Sequence, residues 1–62
     1  MFKHTDRFGR VHECATAAFV VTGEYSGHVQ SHWYKTREDA KTAARRLRRE
    51  LIGVEIHEAV QS

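Results

Sequence analysis

The sequence predicts an α+β fold: a small antiparallel β-sheet of three to four strands with one amphipathic helix packed on one face, in the order β-β-α-β. Three observations carry this expectation. Tyr34 to Gly53 has helix signals at both ends and an apolar stripe between them. Arg10 to Thr22 and His28 to Lys35 are rich in β-branched and aromatic residues and flank a glycine-bounded connection. Val54 to Val60 alternates, with apolar residues at 54, 56 and 60, as a strand with one face down does.

Taken in order, Met1 to Gly9 is the least readable segment. Phe2 and Phe8 either bracket a short strand and a turn around Asp6 to Gly9 or fold over the edge of the core. Arg10 to Thr22 reads as one long strand, strongest at Ala18-Phe19-Val20-Val21-Thr22. A short helix starting in Cys14 to Ala18 is the alternative, since three of those five residues are alanine. Gly23-Glu24-Tyr25-Ser26-Gly27 reads as a five-residue hairpin loop, and His28 to Lys35 as the second strand.

Centring that loop on Tyr25 pairs Thr22 with His28, Phe19 with Ser31 and Ala17 with Trp33. One face then collects Val11, Ala15, Ala17, Phe19, Val21, Val29 and Trp33, the expected core. The other collects His12, Cys14, Thr16, Ala18, Val20, His28, Gln30, His32 and Tyr34, open to solvent or to a partner. Trp33 is expected to face Leu47 across the sheet–helix interface, joined by Phe19, Leu51 and Ile56.

In the helix, Thr36 is placed as N-cap with Asp39 three residues on, and Gly53 as the left-handed residue that ends it. Ala40, Ala43, Ala44, Leu47 and Leu51 fall on one stripe roughly 100° wide. Arg37, Lys41, Arg45, Arg48 and Arg49 gather on one flank of it, Asp39 and Glu50 on the other. Lys35 to Glu50 carries seven basic and three acidic residues, net +4, while the remainder is net −2. That split favours an anionic partner for the helical part, although an Arg-rich helix is also an ordinary solvated surface.

Sixty-two residues are expected to form a single domain near the lower size limit for an unstapled core. One cysteine excludes an intrachain disulfide. Met1 to Arg10 has no apolar run, so neither a signal peptide nor a membrane span is expected, and a cytoplasmic, reduced setting follows. His12 and Cys14 lie about 7 Å apart on one strand face, close enough to share an ion, whereas His28 and His32 at roughly 13 Å are too far apart. A buried inert thiol is the favoured fate of Cys14, and no cofactor or metal is expected. No nucleophile motif, paired carboxylates or phosphate loop appears, and Glu55 and Glu58 fall on opposite strand faces, so a non-enzymatic role is expected.

Nucleic-acid binding has more support. Arg37, Lys41, Arg45, Arg48 and Arg49 can neutralise phosphates, and the outer sheet face offers His28, Gln30, His32 and Tyr34 to hydrogen-bond or stack on bases. Ser26-Gly27-His28 and Trp33-Tyr34-Lys35-Thr36-Arg37-Glu38-Asp39-Ala40, followed by the charged helix, resemble the arm-site DNA-binding N-terminal domain of phage and transposon tyrosine integrases over residues 26–50. The resemblance implies DNA rather than RNA, a sheet face entering the major groove, and Gln30, His32 and Tyr34 as base contacts. Two departures are plain: His28, Gln30 and His32 stand where that family is rich in lysine and arginine, and Val54 to Val60 extends past the family's helix.

The competing class is a protein-binding module, similar to small accessory proteins of phages and mobile elements that dock on a host protein and inhibit or redirect it. An acidic host surface would suit the helix as phosphate does. A homodimer through the open sheet face or an edge strand is compatible with either class.

Overall fold

The computed structural model describes residues 1–61, in the order β1 (Phe2–Thr5), β2 (Val11–Cys14), β3 (Phe19–Tyr25), β4 (His28–Tyr34), α1 (Arg37–Leu47), β5 (Ile52–Glu58) and β6 (Val60–Gln61). The strands form two three-stranded antiparallel sheets, β2-β1-β6 and β4-β3-β5. The α+β class with one helix is as expected; the order β-β-α-β and the single sheet are not, since six strands in the order β-β-β-β-α-β-β form two sheets. The second sheet is new.

Helix α1 begins where its sequence says it should. Thr36 Oγ1 accepts a hydrogen bond from the Asp39 N–H at 3.2 Å, and Glu38 and Asp39 sit in the first turn, where the helix dipole favours negative charge. Ala40 and Ala44 form a buried cluster with Val21 of β3, and Phe19, Tyr34, Leu47, Val54 and Ile56 pack around it. Two small alanines let the helix backbone lie close to the strand.

The far end differs from expectation. The helix stops at Leu47 with Arg48 as C-cap, and the chain turns with Arg49 N–H bonding to Arg46 C=O and Glu50 N–H to Leu47 C=O. These tighter i to i+3 bonds satisfy carbonyls that a left-handed glycine would otherwise have served. Gly53 instead lies inside β5 at φ 66°, where Ile52 pairs with Glu24 and Glu55 with Thr22, so two residues of β5 oppose one of β3. That is a β-bulge, and its left-handed position calls for glycine.

The β3–β4 register also corrects the expectation. The turn has two residues, Ser26 and Gly27, both with positive φ (52° and 80°), the geometry of a type I′ hairpin. Gly23 is therefore not a loop residue but a buried strand residue. Phe19 pairs with Tyr34 rather than Ser31, a shift of three along β4. An odd shift exchanges the faces, so Trp33 lies beside Val20, away from the helix and Leu47, and Tyr34 takes the place under the helix.

No face of the β4-β3-β5 sheet is left wholly open. On the side away from α1, Val20 is fully buried and Thr22 nearly so, and His4 of β1 stacks on His57 of β5. The long strand expected over 10–22 is split: residues 15–18, three of them alanine, a residue depleted in strands, carry the chain from one sheet to the other. The return crossing at Ala59 runs beside it, its N–H donating to Ala18 C=O at 2.7 Å, so the third expected strand is likewise divided into β5 and β6. At the N-terminus the strand-and-turn alternative holds: Asp6 Oδ1 accepts from the N–H groups of Phe8 and Arg10 and closes the β1–β2 turn.

A side chain on Gly23 would have no room. A Cβ there would lie 2.8 Å from Leu51 Cβ and 2.9 Å from its Cδ1. Gly23→Ala is expected to lower stability by about 1–3 kcal/mol, read as a fall in the urea midpoint with little change in slope. An unchanged midpoint would show that Leu51 moves aside freely.

Candidate nucleic-acid interface

The helix flank named from the sequence divides into an engaged and a free part. Arg37 is engaged: its guanidinium bonds to Glu58 Oε1 at 3.2 Å and lies 5.1 Å from the centroid of the Phe19 ring. Lys41, Arg45, Arg48 and Arg49 are exposed and form no ion pair among the described residues. Arg46, which the flank did not include, is equally exposed and unpaired; it borders a groove with Tyr34, Asp39, Thr42, Ala43, Leu47 and Glu50. Arg46 lies off the apolar stripe and off the Arg37–Arg49 flank, so the stripe pattern gave no signal for it.

The sheet-face residues do not stand together as an open surface. Tyr34 packs against the core, and His32 is half-buried with its Nε2 enclosed and without a hydrogen-bond partner. Both share the helix side of the sheet with Phe19 and Val21, because of the register shift. Gln30 and His28, further along β4, remain exposed where α1 no longer covers the strand. The structure brings Gln30 and Arg49 to the rim of one depression of about 520 Å³, together with Tyr25, Glu50 and Leu51. Tyr25 was hidden inside the expected loop. The Ser26-Gly27 dipeptide is the signal that could have found it, since a two-residue turn puts Tyr25 opposite His28 at the end of a strand.

A second polar group lies between the sheets. The His4 and His57 rings stack at 4.1 Å, His57 Nε2 is 3.2 Å from Thr22 Oγ1 and 3.5 Å from Glu55 Oε1, and Arg7 approaches Glu55 at 3.8 Å. Beside them His12 Nε2 bonds to Asp6 Oδ2 at 2.8 Å, with only 10% and 5% of the two side chains exposed. Burial, then the neighbouring His57 and His12 rings, pushes the His4 pKa below its ordinary value, against the opposing pull of Asp6 and Glu55. The hydrogen bond from His12 is the main cause holding the Asp6 carboxyl below the usual range. Among the described residues no three His, Cys, Asp or Glu side chains are grouped to hold a metal ion: His12 and Cys14 share a strand face, but His12 is turned to Asp6. Of these contacts, His4 on His57 and Arg7 beside Glu55 cross between the sheets, while His12–Asp6 lies within the N-terminal hairpin and Thr22–His57 within the central sheet.

No helix among the described residues is long and apolar enough to cross a membrane. No protein-family model, curated protein or solved structure matches the chain. The positions of the side chains are therefore the whole basis for a functional reading.

With the pKa values of His4 and Asp6 both lowered in the fold, stability is expected to fall with acidity. A His4 whose folded pKa lies below its unfolded 6.5 stabilises the fold fully above that value and loses this as pH falls through the lowered one. Asp6 behaves alike from its ordinary 3.8 downward. The urea midpoint is expected to drop between about pH 7.5 and about pH 5, and to drop less in His4→Phe, which keeps a ring against His57 without the charge. Equal slopes for the two proteins would show that His4 is not the group responsible.

Proposed function

We propose that this chain is a non-enzymatic nucleic-acid-binding module whose helix carries the phosphate contacts. The observation that supports this reading best is the flank Lys41, Arg45, Arg48 and Arg49, with Arg46 off it, all exposed and unpaired among the described residues while Arg37 and Arg7 reach carboxylates. Cations left in water next to one another repel, and an anionic polymer that neutralises several at once gains by releasing its counterions. The helix C-terminal half also draws such side chains, since the dipole there favours positive charge. The integrase-like mode, with a sheet face in the major groove, has less support from the geometry. Both faces of the β4-β3-β5 sheet are covered along most of their length, and of Gln30, His32 and Tyr34 only Gln30 is exposed.

Fluorescence anisotropy with labelled DNA and RNA at several salt concentrations tests the proposal. With about four phosphate contacts, log affinity should fall against log salt with a slope of about −3. Replacing Arg45, Arg48 and Arg49 by glutamate should weaken binding by more than about a hundredfold while the circular-dichroism spectrum stays that of the folded protein. Full affinity in this triple variant would overturn the helix as the binding element. Capture of an acidic protein without any nucleic-acid binding would overturn the nucleic-acid reading itself.

A further inference from the structure

We propose that the depression between the β3–β4 hairpin tip and the end of α1 receives one unpaired nucleotide, its base on the Tyr25 ring and its phosphate on Arg49. This rests on the nucleic-acid reading above and names the form of the ligand: a single strand, DNA or RNA, in preference to a duplex.

Tyr25 ends β3 on the same face as Phe19 and Val21, the helix side of the sheet. Because α1 stops at Leu47, that face is uncovered at its far end, and Tyr25 is 57% exposed. The ring is held at a two-residue turn with both φ values positive, a rigid support for a side chain with only two rotatable bonds. Gln30, Arg49 and Glu50 complete the polar rim, and Leu51 is the apolar part of the lining. No side-chain hydrogen bond or ion pair joins Tyr25, Gln30, Arg49 or Glu50 to any described residue. The depression's volume, about 520 Å³, lies within the range of small-molecule sites.

Each group suits a different part of a nucleotide. An exposed tyrosine face accepts a stacked base of any identity. The Gln30 amide offers both a donor and an acceptor to a base edge, and the Glu50 carboxylate accepts from exocyclic amines but repels phosphate. Glu50 thus keeps the phosphate toward Arg49, while Arg48 and Arg45, exposed and without an ion pair among the described residues, are available to neighbouring phosphates. Inside a duplex the base faces are covered by their neighbours, so a ring of this kind has nothing to stack on until a base is unpaired.

The test compares a short labelled single strand of mixed sequence, as DNA and as RNA, with the corresponding duplexes at one salt concentration. The folded wild-type chain is expected to bind single strands more tightly than duplex. Tyr25→Ala should lower single-strand affinity about tenfold and leave duplex affinity unchanged, while Tyr25→Phe, which keeps the ring, should stay within about twofold of wild type. Loss in DNA alone or in RNA alone would identify which strand the pocket takes. Tighter wild-type binding to duplex overturns the proposal, as does a Tyr25→Ala protein that loses nothing or loses equally on both forms, and the phosphate-binding helix would survive either result. Failure of the wild-type chain to bind any nucleic acid would instead remove the reading on which the proposal rests.

Discussion

The seat of Leu51 on Gly23 is the contact on which the arrangement turns. Leu51 is buried directly over a strand position where any Cβ would collide with it. To reach that seat the chain must leave the helix soon after Leu47, and Leu51 N–H closes the exit by bonding to Leu47 C=O at 2.7 Å. Strand β5 then begins at Ile52 opposite Glu24, and the bulge at Gly53 restores the pairing from Glu55 onward. A helix one or two turns longer would have covered the end of the sheet. The short helix leaves Tyr25 and Gln30 exposed beside Arg49 of the exit turn.

The two sides of the central sheet are closed by different chemistry. Toward α1 the contact is apolar and close, built on Val21, Ala40 and Ala44. Toward the β2-β1-β6 sheet the stacked His4 and His57 rings make the crossing, beside the hairpin's own His12–Asp6 pair and the central sheet's Thr22–His57 contact. Buried polar groups stabilise only while each keeps its partner, and of these groups His4 and Asp6 have pKa values that the fold lowers.

The charges show a similar division. Arg7 and Arg37 reach carboxylates on β5, and Arg37 also covers the Phe19 ring, so both tie separate elements to the central sheet. The cations from Lys41 to Arg49 tie nothing among the described residues. A formal charge of +2 for the whole chain understates this, since it averages a folded-in set and a free set. The free set is the one an anionic partner would meet, and its neighbour, the Tyr25 depression, adds a flat ring and an amide to an otherwise purely electrostatic surface.

The sequence by itself determined the helix start at Thr36, the alanine stripe that buries it, the presence of strands on either side and the uneven charge of the helix. Each of these depends on residues within a few positions of one another, where capping and periodicity operate. Only the tertiary structure decided the rest. A five-residue and a two-residue turn fit the same Gly23 to Gly27 segment, and the choice between them exchanged Trp33 for Tyr34 under the helix. It also left His32 half-buried with its Nε2 enclosed and brought Tyr25 beside Arg49. That choice is made by Leu51 on Gly23, just as the second sheet is held by His4 on His57 and Arg37 is neutralised by Glu58. In every case the deciding partners lie more than twenty residues apart, and local pattern carries no information about which distant side chains will meet.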